Sequence, residues 1–298
     1  MVARGAMQIF LTGATGYIGS AVARALIDAG HRVTALVRPG RSVPGLNVFT
    51  GTLAGPEAVA AAAAEADALI HTAFDRSEDG PRYDEAFVRA VLNALGGRNK
   101  TFLYTSGVWV MGNTPENADE DTPLAPPPVA AWRVHAERRV VKAAGHGVRT
   151  VVLRPAIVYG RGGGLLAAFF KSARETGAAL YPGTGENHWT FVHVDDLADL
   201  YLRALGAEPG SVFIGASGAP LRLKDVAEAA SHAAGAGGRT RSMTAEEAAA
   251  LGPAVQGLTL DQRISGARAE RVLGWKPLAA PVFEDIRHGS YAGLSHAG

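Results

Sequence analysis

The chain has 298 residues, of which 47% are hydrophobic, a formal net charge of +1 and no cysteine. This length can bury a core in one large or two modest domains. The balanced charge gives no reason to expect nucleic acid or a membrane surface as a partner. The lack of cysteine excludes disulfides and thiol nucleophiles and fits a cytoplasmic location. No apolar run approaches a membrane span, and the first six residues do not resemble a signal peptide, with Met7 as an alternative start.

The first element is a strand, a glycine turn and a helix. Gln8–Thr12 predicts a short buried strand, and apolar spacing predicts a helix over Ser20–Ala29. Three glycines lie between them at three-residue spacing, which is the dinucleotide-binding fingerprint in its required context. The glycines allow a tight turn and a close backbone approach to a pyrophosphate, and the helix N-terminus offers N–H groups to it. The predicted contact residues of this turn are Gly13, Thr15, Gly16, Tyr17, Ile18 and Gly19.

A second strand, Arg32–Val37, ends where a cofactor-selecting residue is expected about 20 residues beyond the glycines. An acid at this point would bond the ribose 2′-hydroxyl of NAD. This chain instead places Arg38 there, with Arg41 three residues on. Guanidinium groups suit a 2′-phosphate because they bond it bidentately, so we predict NADP in preference to NAD. The alternative is that these are solvated surface arginines.

Strands and helices then alternate, which favours a parallel sheet covered on both faces. The ligand site is expected in the loops at the carboxyl ends of the strands. The predicted elements are a helix near Pro56–Glu65, a strand at Ala66–Thr72, a helix at Tyr83–Leu95, a strand at Thr101–Ser106, a helix at Ala130–Ala144 and a strand at Thr150–Arg154.

The later chain is less regular. Gly160–Gly164 is too flexible for a core element. A strand from Phe191 should lead into a helix, with Asp195 or Asp196 as its N-cap. The remaining predicted elements are helices at Leu223–Ala234 and Thr244–Leu251, with a glycine-rich connector at Gly235–Gly238. The nine histidines are scattered and no metal site is predicted.

Taken together, these motifs resemble the extended short-chain dehydrogenase/reductase superfamily of the NAD-dependent epimerase/dehydratase type, from about Gln8 to Pro277. The resemblance implies an α/β fold, a Rossmann-type doubly wound parallel sheet with a smaller C-terminal substrate domain. We place the dinucleotide-binding domain at 1–157, with 190–206 returning to it, and the substrate-binding portion at 158–189 and 207–298. The matching stretches are Thr12–Gly19, Asp67–Ala73, Tyr104–Gly107, Leu153–Gly160, Phe191–Asp196 and Leu273–Pro277.

The resemblance also implies further cofactor contacts and a reaction site. The family's catalytic groups are a Ser or Thr and a Tyr-x-x-x-Lys pair, in which Tyr exchanges the proton and Lys lowers its pKa and holds the ribose. Aligned on the proline run, His135 falls on the Lys, Ala131 on the Tyr and Gly107 on the hydroxyl position, so the triad is absent. The implied cofactor contacts are Ala73, Phe74, Thr105, His135, Pro155, Ile157 and Val158.

Several residues are candidates to replace the triad. His135 could hold the ribose or relay a proton, or it is a helix-surface histidine. Tyr159 and Ser106 carry hydroxyls near the expected place, although backbone and packing roles are equally open for them. The substrate candidates are Trp132 and Trp189 as apolar walls, against core packing, and Arg133 and Arg161 as anion contacts, against solvation.

Three functions fit these patterns. The first is an NADP(H)-dependent oxidoreductase that reduces a small carbonyl or imine with an altered catalytic site. The second is a sugar-nucleotide epimerase or dehydratase, which the missing Tyr disfavours because such reactions need a base. The third is a non-catalytic NADP-binding redox sensor. A small-molecule substrate is the expected partner, and the resemblance also implies a possible homodimer through the helices Tyr83–Leu95 and Ala130–Ala144.

Overall fold

The structure is a computed structural model that describes residues 5–292, except for the side chains of residues 115 and 116. Its strands are β1 (Gln8–Thr12), β2 (Arg32–Val37), β3 (Asn47–Thr50), β4 (Ala68–His71), β5 (Thr101–Thr105), β6 (Thr114–Ala118), β7 (Arg149–Pro155), β8 (Ile157–Tyr159), β9 (Ala179–Tyr181), β10 (His188–His193), β11 (Ser211–Gly215), β12 (Ser217–Arg222), β13 (Thr240–Ser242) and β14 (Gln262–Ile264). Its α-helices are α1 (Tyr17–Asp28), α2 (Pro56–Ala63), α3 (Gly80–Leu95), α4 (Pro128–Ala143), α5 (Leu166–Thr176), α6 (Val194–Ala204), α7 (Leu223–Ala233), α8 (Ala245–Ala250), α9 (Val255–Leu258), α10 (Ala267–Leu273) and α11 (Val282–His288).

The main sheet has seven strands in the order β11-β7-β5-β4-β1-β2-β3. The pairings of β1 with β2 and β4, of β2 with β3, and of β5 with β4 and β7 are all parallel. The strand order reverses between β1 and β4, so the chain leaves β1 in one direction along the sheet and later returns to its other side. This is the predicted doubly wound Rossmann-type α/β fold, and its ligand crevice is expected at that reversal.

A hydrophobic core fills the space between this sheet and its helices. Phe10 of β1 and Phe102 of β5 are buried in the same cluster as Phe87 of α3 and Val140 of α4. Strands that are buried on both faces read as continuous apolar runs, which is why the sequence located them well. The core fixes the sheet, and through it the strand ends that carry the site.

The chain forms two compact units. The first comprises the chain up to Ser106, Trp132–Arg154 and Leu197–Phe213, and the second comprises Gly107–Ala131, Pro155–Asp196 and the chain from Ile214 onwards. This division differs from the predicted domains chiefly in the segment Gly107–Ala131, whose strand β6 pairs with β14. It also assigns 155–157 and 190–196 to the second unit and 207–213 to the first. A short strand that pairs with a partner about 150 residues away leaves no periodic signal in the sequence.

The second unit is built on small sheets, β12-β10-β8, β13-β9 and β14-β6. Its core contains Phe169 and Phe170 of α5, Leu223 of α7 and Trp189 of β10. Its strands have three to six residues. That shortness explains why the sequence predicted only the strand at Phe191 and the helices in this region.

Most predicted elements of the first unit are confirmed, with shifted helix ends. The helix after the glycine turn begins at Tyr17 and not at Ser20, and α3 begins at Gly80 and not at Tyr83. Strand β3 was missed because it is short and mostly exposed. The predicted N-cap was wrong: α6 begins at Val194, so Asp195 and Asp196 lie in its first turn. Asp196 Oδ1 instead accepts a hydrogen bond from the Leu278 N–H at 2.9 Å.

A buried ion pair sets the rotation of α4. Arg154 of β7 donates from Nε and Nη2 to the Glu137 carboxylate, at 3.1 and 2.6 Å, and the two side chains are only 5% and 3% exposed. Such a pair is bidentate and shielded from water, and each charge depends on the other for its solvation. The side of α4 that carries Glu137 therefore faces the sheet.

We predict that Glu137→Gln lowers the free energy of unfolding by about 3–5 kcal/mol, because it leaves the Arg154 charge buried without compensation. The matched control is Glu85→Gln, whose carboxylate lies 3.5 Å from Arg139 with both side chains about half exposed. That change should cost less than about 1 kcal/mol. Urea unfolding monitored by circular dichroism measures both, and equal costs would contradict the assignment.

Helices α3 and α4 also border a surface groove of about 450 Å³. Its lining includes the basic side chains of Arg89, Arg139, Lys142 and His146. Basic side chains near helix C-termini complement the helix dipoles. Two copies meeting across this face would bring these positive charges together, and the homodimer stays a prediction.

Candidate functional site

The glycine turn between β1 and α1 is shaped for close backbone contact. Gly13 has φ +81°, and a Cβ there would lie 2.7 Å from the Ala73 N–H nitrogen. A Cβ on Gly19 would overlap the Gly13 carbonyl. Gly16 differs, because it is exposed and its backbone is extended, and a Cβ would meet only the Gly13 oxygen at 3.1 Å. Two glycines therefore close the turn, and the third leaves its outer side open.

Helix α1 begins directly after the glycine turn, so its N-terminus lies next to Gly16. Its N-cap residue is Gly16, no side chain caps it, and no acidic residue lies in its first turn. Thr15 is exposed, and Tyr17 and Ile18 are partly exposed. An uncapped helix N-terminus beside an open glycine backbone favours an anionic group such as a pyrophosphate. The residues present therefore fit a dinucleotide, on the predicted positions.

The loop after β4 is tied to the glycine turn by two threonines. The Ala73 N–H donates to Thr12 Oγ1 at 3.3 Å, and Thr72 Oγ1 donates to the Thr12 carbonyl at 2.7 Å. Ala73 thus adjoins Gly13, while Phe74 next to it is 43% exposed. The structure brings these two predicted contacts to the same strand edge as the glycine turn.

Beneath this edge lies a buried polar network that the sequence did not reveal. Thr12 Oγ1 is 2.7 Å from His71 Nδ1, and His71 Nε2 is 3.1 Å from Asp84 Oδ1. The Tyr104 hydroxyl donates to Asp84 Oδ2 at 2.8 Å, and burial raises the pKa of this phenol, with the Asp84 charge as a smaller cause. His71 also stacks on Phe87, with ring centroids 4.5 Å apart. The network holds Thr12, and through it the glycine turn, from below.

Arg38 and Arg41 occupy the two ends of one tight turn directly after β2. The Arg41 N–H donates to the Arg38 carbonyl at 3.0 Å, and Gly40 within the turn has φ +74°. A turn with Pro39 second and a positive-φ glycine third is a type II β-turn, which holds its end residues within about 7 Å. Both arginines are exposed, and neither guanidinium makes a hydrogen bond or close ion pair with a residue in the described part of the chain. Tertiary structure thus adds to the sequence prediction that the backbones of Arg38 and Arg41 are held close together by one tight turn.

Strand β5 ends at Thr105, the next predicted contact. Its Oγ1 is 2.5 Å from the Tyr201 hydroxyl of α6. Burial raises the pKa of the Tyr201 phenol. Ser106 follows, and its Oγ is buried with no hydrogen-bond partner among the described residues. Gly107 has room for a side chain, since a Cβ there would meet nothing within 4 Å.

Arg133 of α4 also reaches the end of β5. Its Nη1 donates to the Thr105 carbonyl at 3.1 Å. The guanidinium carbon lies 4.3 Å from the Trp132 ring centroid and 5.0 Å from that of Phe74. The two rings stack 5.4 Å apart at an interplanar angle of 12°. The cluster of Phe74, Trp132 and Arg133, here called the β5-edge cluster, fixes a positive charge at this strand end.

His135 lies elsewhere on the helix. Successive residues of an α-helix are about 100° apart, so His135 points about 200° away from Arg133. Arg133 and Glu137 are four residues apart and share one side, whereas His135 is exposed. Among residues 5–292 no hydrogen bond involves its imidazole. The structure therefore brings Arg133 to the strand edge and does not bring His135 there.

The remaining predicted residues belong to the second unit. The Tyr159 hydroxyl donates to the Ala280 carbonyl at 2.7 Å, and burial raises the pKa of this phenol. Trp189 is 3% exposed, donates from Nε1 to the Leu258 carbonyl at 3.1 Å and stacks on Phe169. Both are engaged in packing, which the sequence had left open as their alternative role.

Arg161 pairs with Asp195 at 2.6 Å and has φ +51°, so its charge is balanced locally. Pro155, at the end of β7, and Ile157, on β8, are buried, and Val158 of β8 is partly buried. Within the part of the chain that the structure describes, no group of three acidic or histidine side chains could hold a metal ion. None of the described helices has the length and apolar content needed to cross a bilayer.

We predict different outcomes for substitutions at Gly16 and Gly19. Gly16→Val should keep the fold and lose dinucleotide binding, because its side chain would occupy the open side of the turn. Gly19→Val should destabilise the protein, because its side chain would overlap the Gly13 carbonyl. Thermal unfolding and calorimetric titration with NADP and NAD separate the two effects.

The control for both is Gly145→Val, an exposed position where a Cβ meets nothing within 4 Å. It should leave folding and binding unchanged. Undiminished cofactor affinity in folded Gly16→Val would show that the glycine turn is not the binding site.

Comparison with known proteins agrees with this geometry. Residues 9–215 match the family described as "NAD dependent epimerase/dehydratase family". A 2-alkyl-3-oxoalkanoate reductase of Stenotrophomonas maltophilia is 28% identical, covering 74% of this chain and 73% of that protein. A 3-diazoavenalumate denitrifying reductase of a Streptomyces species is 30% identical, covering 91% and 96%.

A solved structure shows the same fold at low identity. The UDP-glucose 4-epimerase of Thermus thermophilus, in complex with NAD, superposes with a TM-score of 0.79 at 20% identity, covering 96% of this chain and 99% of that one. The similar sequences thus include proteins named as reductases, and the epimerase structure shares the fold. The family match covers more than half of the residues and includes the glycine turn and the strands of the main sheet. This chain belongs to the NAD dependent epimerase/dehydratase family.

Proposed function

We propose that the protein is an NADP(H)-dependent reductase of a small carbonyl or imine substrate that works without the Ser-Tyr-Lys triad. The observation that carries the proposal is the arginine turn after β2. Arg38 and Arg41 stand at its two ends, with exposed side chains that have no hydrogen-bonded partners among the described residues. A pair of guanidinium groups suits the 2′-phosphate that distinguishes NADP from NAD.

The electrostatics around Arg38 support this assignment. The pKa of Asp75 is lowered, chiefly by its hydrogen bonds with Ser77 and to a smaller extent by the charge of Arg38. Arg38 directly follows β2, which pairs parallel with β1, so Arg38 and the glycine turn lie at the same edge of the sheet. The positive charge stands on the side of the sheet where the dinucleotide cradle opens.

The residues of α4 fit a reduction better than an epimerisation. An epimerase begins by oxidising a hydroxyl group, which needs a base to take its proton. The family's Tyr lies four residues before its Lys, and the Lys position can be aligned with His135 or with Arg133. The residues four positions earlier are Ala131 and Val129, so neither alignment places a tyrosine on α4. The relatives named as reductases agree with the reductive direction.

NADPH, when bound, supplies the two electrons and the hydrogen that reduce the substrate. The chain's own residues would hold it in place: the glycine turn receives the pyrophosphate, and Arg38 and Arg41 receive the 2′-phosphate. We assign the ribose contact of the family lysine to Arg133 and not to His135, because Arg133 reaches the Thr105 carbonyl. Tyr201 fixes Thr105 from the other side.

We predict that wild-type protein binds NADPH more tightly than NADH and that Arg38→Asp abolishes the preference. The loss of a charge-assisted phosphate contact should cost roughly 1.5–3 kcal/mol in NADPH affinity. Calorimetric titration with both cofactors measures it, with Arg24→Asp, an exposed arginine of α1, as the charge control. Equal affinity of wild type for the two cofactors would overturn the NADP assignment.

The two alignments of α4 are separated by a pair of double variants. Val129→Tyr/Arg133→Lys rebuilds the family pair on the inner side of the helix, and Ala131→Tyr/His135→Lys rebuilds it two residues further on. We expect only the first to gain reductase activity on simple ketones, because only that side faces the strand edge. Steady-state NADPH oxidation measures both, and a gain confined to the second would return the role to His135.

The same assay separates the functional alternatives. NADPH consumption with a carbonyl or imine panel supports the reductase. Isomerisation of a sugar nucleotide without net cofactor use would identify an epimerase. Tight NADPH binding with no turnover in any assay would identify a redox sensor.

A further inference from the structure

The β5-edge cluster combines a fixed charge with an exposed aromatic surface. The Arg133 guanidinium lies against the rings of Trp132 and Phe74, and one of its N–H groups is used by the Thr105 carbonyl. A guanidinium carries five N–H donors. The others make no hydrogen bond with a described residue, so they remain for a ligand. Phe74 is 43% exposed beside them.

The two phenols at this strand end are occupied, and the remaining hydroxyl, Ser106 Oγ, belongs to an aliphatic alcohol, which is a much weaker acid than a phenol. The Tyr201 hydroxyl is 2.5 Å from Thr105 Oγ1, and the Tyr104 hydroxyl donates to Asp84. Arg133 itself is permanently charged and acts as a donor of hydrogen bonds, not of protons. The cluster is therefore equipped to stabilise a negatively charged oxygen but not to protonate it.

This chemistry discriminates between kinds of carbonyl substrate. Reduction of an isolated ketone leaves an alkoxide, a strong base that needs a proton in the same step. Conjugate reduction of an α,β-unsaturated carbonyl compound leaves an enolate, a much weaker base whose charge is shared over the conjugated system. A guanidinium hydrogen-bonded to oxygen stabilises either anion, but the alkoxide, as the stronger base, also requires a proton donor beside it, whereas the enolate does not.

We propose that the substrates are planar α,β-unsaturated carbonyl compounds and that Arg133 binds the enolate oxygen as it forms. This proposal rests on the proposed reductase function. A C–H bond forms at the β-carbon with two electrons and a hydrogen taken from NADPH, which is oxidised to NADP⁺. The carbon–carbon π bond shifts, the carbonyl π bond opens, and its electron pair moves to oxygen. The enolate then takes a proton from solvent.

The aromatic members of the cluster support a planar substrate. Phe74 and Trp132 stack nearly parallel, at 12°, and leave Phe74 exposed. Conjugated molecules gain offset stacking on such a ring, which a saturated ketone lacks. The charge and the flat surface therefore select the same class of compound.

The first test is binding, independent of turnover. NADP-saturated protein is titrated by calorimetry at pH 8 with 4-nitrophenolate, a planar anion, and with nitrobenzene, its uncharged analogue. Wild type should bind the anion roughly tenfold or more tightly than nitrobenzene. Arg133→Met should lose this preference, and Arg138→Met, which removes an exposed arginine of the same helix, should keep it. Equal affinity of wild type for the two probes, or a preference that survives Arg133→Met, overturns the proposal.

The second test uses one substrate with two reducible bonds. Cinnamaldehyde with NADPH should give the saturated aldehyde, hydrocinnamaldehyde, and Arg133→Met should lower its yield at least tenfold. Cinnamyl alcohol as the main product would overturn the enolate proposal while supporting the reductase function. No NADPH oxidation with cinnamaldehyde or any compound of the carbonyl and imine panel would overturn both.

Discussion

The buried ion pair of Arg154 and Glu137 determines which residues of α4 face the main sheet. A helix packed on a sheet can turn any of its sides toward the sheet, and successive residues of the helix point about 100° apart. The bidentate contact removes that freedom, because neither charge tolerates burial without the other. With Glu137 facing β7, the residue four positions earlier also faces the sheet. That residue is Arg133, and the charge at the end of β5 follows from this constraint.

The cofactor side depends on a different buried group. Thr12, His71, Asp84 and Tyr104 connect the end of β1 to β4, α3 and β5 through side-chain contacts that are almost fully buried. Buried polar groups are stable only when each is satisfied, so this network tolerates few alternative positions of the strands. It supports the glycine turn from below, while the threonines tie the turn to the loop after β4. The glycine turn is thus held by hydrogen bonds from the buried network and from the loop after β4.

The proposed function follows from two features: the dinucleotide-binding turn is intact, and the family's Tyr and Lys are absent from α4. The glycine turn, the uncapped helix and the arginine turn all favour an anionic dinucleotide. Helix α4 lacks the family's tyrosine, and the Arg133 guanidinium lies at the end of β5. A permanent positive charge without a phenol beside it is suited to stabilising anions, which links the proposed reduction to the proposed class of substrate.

The sequence by itself determined the fold and the cofactor-binding turn, because short local sequence patterns predict both. Buried parallel strands are continuous apolar runs, and the glycines lie within one turn of chain, so no long-range information was needed. Only the tertiary structure decided the placement of Arg133, the network of His71 and Asp84, and the transfer of Gly107–Ala131 to the second unit. The sequence pattern pointed to His135, whereas the packing of α4 brings Arg133 to the end of β5. Helix rotation is set by partners distant in sequence, here Arg154, and side-chain spacing within the helix cannot reveal which face they will bind.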